Sequence, residues 1–304
     1  MFECHGDPVI ISHACSGEGV IGKIPGESNF VASRRPYMKA ASTISDRNYW
    51  FAMSLLLVSG ALFIFANRGP IDSDQRFTDL ICSLSSDRPE VKEAATLALQ
   101  ESSISFVPRL LRMIRSGNGN LQAQAVLAFA AMGGHARSAV PQLAQFLRDP
   151  SSSQAAARSL AAIGRPALPA LTNALNSPLR YVRGNAARGI GLLHSIGRPA
   201  IPILVQALED DDDIVRYFVS RALGQIAEEP AQVVPALLSR LDDRSLDVRK
   251  MAILSLARFH ENAMPALPAL RNKALHGFNQ NIRDAAVFAL QAVEPTASGP
   301  EEMN

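Results

Sequence analysis

Apolar and polar positions repeat with a fixed period from Asp74 onward, and prolines mark that period. The sequence positions of successive marker prolines differ by 33, 28, 33, 33 and 33. A second marker, an aliphatic residue followed by a basic one, recurs with nearly the same step. The prolines are Pro108, Pro141, Pro169, Pro202, Pro235 and Pro268, and the second marker is clearest at Val182-Arg183, Val215-Arg216, Val248-Arg249 and Ile282-Arg283. Two independent markers with one period indicate tandem copies of one structural unit.

Each unit predicts two helices. The first begins near the proline, which the first helical turn tolerates because its missing N–H would lack an intrahelical partner there. A polar turn follows, and then a second helix rich in Ala and Leu, which Gly164 and Gly197 are predicted to end in two of the units. Helical spacing predicts that one apolar face of a second helix contains Val215, Phe218, Val219, Ala222, Leu223 and Ile226.

A single helical pair cannot bury its apolar faces, whereas stacked pairs share one continuous core. The pattern therefore predicts an all-α fold, a right-handed α-solenoid of about seven helical hairpins over residues 74–295. One interval, from Pro141 to Pro169, is shorter than the others. It contains Ser151-Ser152-Ser153-Gln154, where an aliphatic-Arg pair is expected, so we predict that the stack bends or loosens near residue 151.

The Pro-x-Leu first helix, the Val-Arg-x-x-Ala second helix and the Ile-Gly-Arg-Pro-Ala link resemble HEAT repeats. The resemblance is closest to the short HEAT-like repeats of phycobilisome lyase subunits, and it covers nearly all of the chain from Asp74 onward. It implies that the second helices line an inner surface on which a protein or peptide partner docks, as in a non-catalytic scaffold. The alternative that it implies is a lyase or chaperone-like subunit acting on a cofactor-bearing protein.

The periodic arginines are the main candidates for contact with a partner. Guanidinium groups in a row can hold carboxylates or phosphates in bidentate fashion, and tyrosines beside them add amphipathic contact area. The candidate residues are Arg183, Arg216, Arg249, Arg283, Tyr181 and Tyr217. The alternative, which the HEAT resemblance itself implies, is that these arginines pair within the array with Asp213, Asp243 or Asp247.

The sequence contains few features that would indicate a nucleic-acid partner, a cofactor or metal site, or an enzymatic activity. A net charge of +2 over 304 residues argues against a nucleic-acid partner, and no motif indicates a cofactor or a small-molecule substrate. His260-Glu261 is a single pair, whereas the HEAT-like deoxyhypusine hydroxylases bind iron through several, so neither a metal site nor this activity is expected. The acidic run 209–213 lacks the spacing of a calcium loop and is expected to cap the next helix. Cys82 is predicted to lie in the core, and no enzyme is expected.

Residues 49–66 form an uncharged run of 18 residues, long enough as a helix (~27 Å) to span a bilayer core. We expect a transmembrane or signal-anchor helix there, between a poorly ordered segment 1–48 and a linker 67–73; residues 296–304 are expected to form a disordered tail. Basic residues are denser before the run than after it, which predicts a cytoplasmic N-terminus and an extracytoplasmic repeat domain, periplasmic or exported. Secretion after signal cleavage is the alternative, and Met38 is an alternative start.

Overall fold

The computed structural model describes residues 73–294, and every regular element in that span is helical. No helix within it is long and apolar enough to cross a bilayer. The expectations for segments 1–48, 49–66 and 296–304, and for most of the linker 67–73, concern residues outside the described part of the chain.

The described residues divide between two compact units, and the chain passes from the first to the second after Ala94. In the first unit, α1 (Ser73–Leu84) is amphipathic and buries Phe77, Leu80 and Leu84. Helix α2 (Pro89–Glu101) begins in this unit and ends in the second.

The second unit is a series of helical hairpins, numbered 1 to 6 in chain order, each with a first and a second helix. In hairpins 2, 3, 4 and 6 a short 3-10 segment precedes the first helix. The hairpins are α3 (Ser103–Arg115) with α4 (Gly119–Met132), α5 (Val140–Phe146) with α6 (Ser153–Ile163), α7 (Leu168–Ala174) with α8 (Arg180–Gly191), α9 (Ile201–Ala207) with α10 (Asp213–Ile226), α11 (Pro230–Leu238) with α12 (Leu246–Ala257), and α13 (Leu267–His276) with α14 (Gln280–Val293).

The repeat prolines set where most first helices begin. Helices α5, α7, α9 and α13 each start one residue before their proline. Helices α3 and α11 each begin five residues before their proline, so Pro108 and Pro235 lie inside them. The prediction that a first helix begins near its proline therefore holds for four hairpins. In the other two an extra helical turn replaces the 3-10 segment.

The second helices pack against one another in sequence, from α4 through to α14. Small residues permit the close approach. A Cβ added to Gly224 of α10 would lie 2.8 Å from the Ser255 Cα of α12, and one added to Gly191 of α8 would lie 2.9 Å from the Ala222 Cα of α10. Backbones at this distance leave no room for a side chain, so an apolar period alone does not explain these positions.

The core face of α10 departs from the predicted one at a single residue. Val215, Val219, Ala222 and Leu223 are fully buried, as is almost all of Ile226, whereas Phe218 is only half-buried. Phe218 lies at the edge of this face, where Tyr217 and the Arg188 guanidinium contact its ring.

The two glycines predicted to end second helices have different roles. Gly164 follows α6 directly with a φ of +88°, a conformation that glycine adopts without steric cost. Gly197 lies inside the 3-10 segment that follows α8, and the positive φ after that helix belongs to His194. A Cβ on Gly197 would lie 2.9 Å from the Ile190 carbonyl oxygen, so this glycine is needed for close packing and does not end the helix.

The irregular interval is not located where the sequence suggested. The stretch from each repeat proline to the start of the next second helix has the same length to within one residue in every hairpin, hairpin 2 included. The shortening lies after α6, where the 3-10 link has three residues, whereas the corresponding links before α5, α9 and α13 have seven. The turn near residue 151 is not loose, because Ser152 and Ser153 are buried and the Ser152 Oγ donates to Asp149 Oδ2 at 2.9 Å. Ala156 of α6, rather than Ser152, takes the position of the repeat arginine.

Candidate functional site

The repeat arginines occupy matching places, on the fourth residue of their second helices, and two of them pair with the next hairpin. Arg183 of α8 donates from Nε to Asp210 Oδ2 at 2.6 Å and from Nη2 to Asp210 Oδ1 at 2.8 Å. Its Nη1 donates to the Ser177 carbonyl oxygen of its own turn at 2.9 Å. One guanidinium therefore joins two successive turns.

Arg216 of α10 repeats this arrangement in a more buried setting. Its Nε and Nη2 donate to the two carboxylate oxygens of Asp243 at 2.8 Å each, and its Nη1 donates to the Asp210 carbonyl oxygen at 2.8 Å. The side chains are only 4% and 3% exposed. Arg216 can bind a partner only if it leaves Asp243, and this would leave the buried Asp243 carboxylate without a counter-charge.

The pKa values of both aspartates in these pairs are lowered. Burial by itself raises the pKa of Asp243, but hydrogen bonds from Arg216 and from the Ser245 backbone N–H, together with the charges of Arg216 and Arg240, outweigh it and lower the pKa below its ordinary value of 3.8. The pKa of Asp210 is lowered in the same way, against burial, by Arg183 and the Asp212 backbone N–H. We call these two interactions the Arg–Asp ladder.

The remaining two repeat arginines lie outside this ladder. In both rungs the aspartate follows its arginine by 27 residues, and at the same distance after Arg249 the chain has His276. The Nε of Arg249 is buried without a hydrogen-bond partner in the described part of the chain. Arg283 of α14 donates to the Gly277 carbonyl oxygen and to Gln280. Partner contact by any of the four arginines stays a prediction.

The two candidate tyrosines have separate environments. The Tyr181 hydroxyl donates to the Arg148 carbonyl oxygen at 2.6 Å and so joins hairpin 3 to hairpin 2. Tyr217 packs edge-on against Phe218, with ring centroids 5.2 Å apart and an interplanar angle of 79°. Both side chains are half-buried.

A second set of arginines lies on the second helices, and the sequence reasoning missed it. Arg158 of α6 and Arg221 of α10 are each near enough to Arg188 of α8 to affect it electrostatically, and the Arg188 guanidinium carbon lies 5.8 Å from the Phe218 ring centroid. Arg188 and Arg221 are separated by one full repeat period. The signal was therefore available in the repeat period, five residues after the Val-Arg marker.

Large apolar side chains are also exposed along the second helices. They are exposed to between 38% and 56% and lie on α4, α10, α12 and α14: Leu121, Leu127, Ile214, Leu246, Val287 and Phe288. We use the term second-helix surface for these residues together with the other exposed or half-buried side chains of the second helices.

The acidic run 209–213 is used within the array. Asp212 caps α10, because its Oδ1 accepts from the backbone N–H groups of Ile214 and Val215 at 3.0 and 3.3 Å, which confirms the capping prediction. Glu209 pairs with Arg240, and Asp210 belongs to the ladder.

The described residues show no cluster that could hold a metal ion. His260 and Glu261 lie in the 3-10 segment before α13, and both are exposed. Cys82 is exposed rather than in the core, so that prediction was wrong; its position on α1 turns it away from Leu80 and Leu84.

Several known proteins are similar to this chain. An engineered protein is 22% identical, with a TM-score of 0.43 over 71% of this chain and 95% of its own. A chain from the complex of CpcE and CpcF of phycocyanin lyase from Nostoc sp. PCC7120 is 25% identical, with a TM-score of 0.43 over 50% and 98%. Yeast importin-beta is 16% identical, with a TM-score of 0.44 over 79% and 38%. No protein of curated function matches significantly.

The family comparison is more direct. The sequence model for HEAT repeats matches four overlapping stretches, residues 107–191, 140–217, 168–232 and 201–291, which together cover more than half of the 304 residues. The resemblance that the Pro-x-Leu and Val-Arg-x-x-Ala segments carry is thereby confirmed. The chain belongs to the HEAT-repeat family.

Proposed function

We propose that this protein is a non-catalytic scaffold that binds a protein or peptide partner on its second-helix surface. The observation that supports the proposal is the series of exposed apolar residues on α4, α10, α12 and α14, together with the aromatic and arginine side chains of α8 and α10. Apolar and aromatic groups together with arginine are the composition found at protein interfaces. A surface that contacts only water gains nothing from exposed apolar side chains next to one another, whereas a binding surface does.

The first and the last of the second helices, α4 and α14, each expose a large apolar side chain at an equivalent position. Leu127 of α4 and Phe288 of α14 occupy the same helical position, eight residues after the start of their helices, and are 39% and 56% exposed. Neither side chain is required by the core. A partner that covers them removes their apolar area from water, at roughly 25 cal/mol per Å².

The test compares apolar residues on the two kinds of helix. Full-length protein is cross-linked in the membranes of its own cells, solubilised and purified, and its cross-linked partners are identified. We expect the double variant Leu127→Ser with Phe288→Ser to lose its specific partner. The matched control is Ile104→Ser with Leu275→Ser, because these side chains are 86% and 74% exposed but lie on the first helices α3 and α13.

Equal partner capture by both double variants would contradict the proposal, as would loss of the partner only in the first-helix control. A partner that carries a covalently attached chromophore and is modified only in the presence of this chain would favour the alternative, a lyase or chaperone-like subunit. That alternative also requires a cytoplasmic repeat domain. Thermal unfolding of each variant, followed by circular dichroism, controls for misfolding.

Membrane attachment through residues 49–66 is part of the same proposal. It is supported by the length and lack of charge of the run and by the basic residues before it. We expect the chain to resist carbonate extraction, and a periplasmic reporter fused after residue 304 to be active. An N-terminus found just after Ala66 would instead indicate a cleaved signal and a secreted repeat domain. A peptide recovered upstream of Met38 would contradict the alternative start.

A further inference from the structure

Three successive second helices bring arginines together on the second-helix surface. Arg158 on α6 is exposed, and Arg188 on α8 and Arg221 on α10 are half-buried. None of the three forms a salt bridge with a carboxylate in residues 73–294. They differ in this from Arg183 and Arg216, whose charges are neutralised by the next hairpin.

The local electrostatics show that this positive charge is not compensated. The pKa of Arg188 is lowered, first by burial and then by the charges of Arg221 and Arg158. Repulsion between like charges costs stability in a site that is partly shielded from water. An anion bound among the three groups would remove that cost.

The aromatic residues prepare the site for planar anions. Phe218 lies under the Arg188 guanidinium at 5.8 Å, and Tyr217 fixes Phe218 by its edge-on contact. A guanidinium held over a ring keeps its N–H edge free, and that edge matches the two oxygens of a carboxylate. The Arg188 guanidinium forms no hydrogen bond within residues 73–294, so its N–H groups remain available for bidentate binding.

We propose that Arg158, Arg188 and Arg221, with Tyr217 and Phe218, form a binding site for an acidic peptide segment of the partner. The inference rests on the proposed scaffold function and specifies the chemistry of its partner. An acidic peptide is favoured over a nucleic acid because the chain has a net charge of only +2 and because exposed Ile214 lies on the same helix as Arg221. A peptide side chain can cover an isoleucine, whereas a phosphate backbone cannot.

The spacing of the helices suggests the spacing of the acidic residues. Packed helices lie about 8–10 Å apart. A peptide in the polyproline II conformation advances about 3.1 Å per residue with three residues per turn, so side chains three residues apart lie on one face, roughly 9 Å apart. Glutamates at every third position can thus meet arginines from successive second helices.

The probe is a fluorescein-labelled 12-residue peptide with Glu at every third position and Ser or Leu between, titrated with the purified full chain in detergent. We expect fluorescence anisotropy to show saturable binding that weakens as salt is added. Arg188→Ala with Arg221→Ala should weaken it at least tenfold. The control Arg112→Ala with Arg137→Ala removes the same charge from exposed positions on α3 and in the 3-10 link before α5, and should change affinity less than twofold.

Equal losses in the two double variants would overturn the inference, since the peptide would then respond only to net charge. An undetectable interaction with the peptide would overturn it too, as would tighter binding of an oligothymidylate of equal charge. The cross-linking assay separates this outcome from failure of the scaffold function. If Leu127→Ser with Phe288→Ser loses the partner while Arg188→Ala with Arg221→Ala keeps it, the scaffold function stands and the acidic-peptide site is wrong.

Discussion

Hairpins 1 and 2 join their turns differently from hairpins 3 to 5. In the front pair, Gln122 of α4 donates from one amide nitrogen to the Ile114 carbonyl oxygen of its own hairpin and to the Ser151 carbonyl oxygen of the next, at 2.9 and 2.8 Å. In the back hairpins, Arg183 and Arg216 occupy the same helical position and bridge the same two kinds of turn. One geometric task is thus performed by a neutral amide in one region and by ion pairs in the other.

The difference shows what the repeat position requires. A long donor on the fourth residue of the second helix is sufficient to connect two turns, and a charge is optional. Where the charge is present, the following turn supplies an aspartate that itself accepts a backbone N–H, as Asp243 does from Ser245 at 2.8 Å. The back hairpins therefore gain stronger bonds and also a dependence on ionisation.

The largest expected effect follows from breaking the buried rung. Arg216→Ala leaves the Asp243 carboxylate buried without its cation and should lower the free energy of unfolding by about 3–5 kcal/mol. Gln122→Ala removes neutral hydrogen bonds and should cost only about 0.5–1.5 kcal/mol. Urea unfolding of the full chain, followed by circular dichroism, measures both values.

Arg198→Ala is the matched control for this comparison, because Arg198 also pairs with a carboxylate, Glu229, but their side chains are 60% and 42% exposed. Its loss should cost no more than about 1 kcal/mol. If Arg216→Ala costs no more than Gln122→Ala, the ion pair and the neutral hydrogen bonds stabilise their hairpins equally, and the proposed difference between the two regions is wrong.

Acid should weaken the back hairpins before the front ones. Because the folded-state pKa values of Asp210 and Asp243 lie below 3.8, the ladder contributes stability above that pH and loses it as the pH falls through the folded-state values. Hydrogen-exchange protection should therefore fall first in α8, α10 and α12. Asp149 in the front also has a lowered pKa, owing mainly to the Ser151 backbone N–H and the Ser152 and Ser151 hydroxyls, but these hydrogen-bond donors are neutral, so its protonation should matter less.

Asp243→Asn provides the reference for the acid experiment. This variant should be less stable than the wild type at neutral pH, and its stability should change less between pH 5 and pH 3, a window that contains the ordinary aspartate pKa of 3.8. Parallel loss of protection in α4 and α10 would show that acid acts on the whole array rather than on the ladder.

The smallest expected effect concerns the connection between the two regions. Tyr181→Phe removes the hydroxyl that donates to the Arg148 carbonyl oxygen and should cost about 0.5–1.5 kcal/mol. Tyr217→Phe is the control, because no hydrogen bond of the Tyr217 hydroxyl occurs among the described residues. A differential scanning measurement that gives the same midpoint for both variants would mean that this bond does not couple hairpin 3 to hairpin 2.

Much of the fold could be predicted from the sequence, but less of the candidate site. The period places Arg183, Arg216, Arg249 and Arg283 at equivalent helical positions, and pairing within the array was one of two interpretations. The pairing partners could not be chosen, because Asp213 and Asp247 are as close in sequence as Asp243, and only the path of the turn brings Asp210 and Asp243 to the guanidinium groups. Arg188 was overlooked because its significance depends on Phe218 and on arginines from two other helices.

The irregular interval shows the same limit. The intervals between prolines show that hairpin 2 is five residues shorter than the others, but they do not show which segment is shorter. The unusual serines led to the prediction of an irregularity near residue 151. The helix bounds place the loss after α6, in a link that closes with three residues instead of seven.

By itself the sequence determined the all-α class, the repeating two-helix unit and the family, because helical periodicity and proline placement are local properties that recur along the chain. The tertiary structure decided which charges are neutralised and which are not. That distinction depends on distances between groups on different hairpins, as between Arg216 and Asp243 or between Arg188 and Arg221. A repeat pattern in the sequence makes all these arginines look equivalent and contains no such distances.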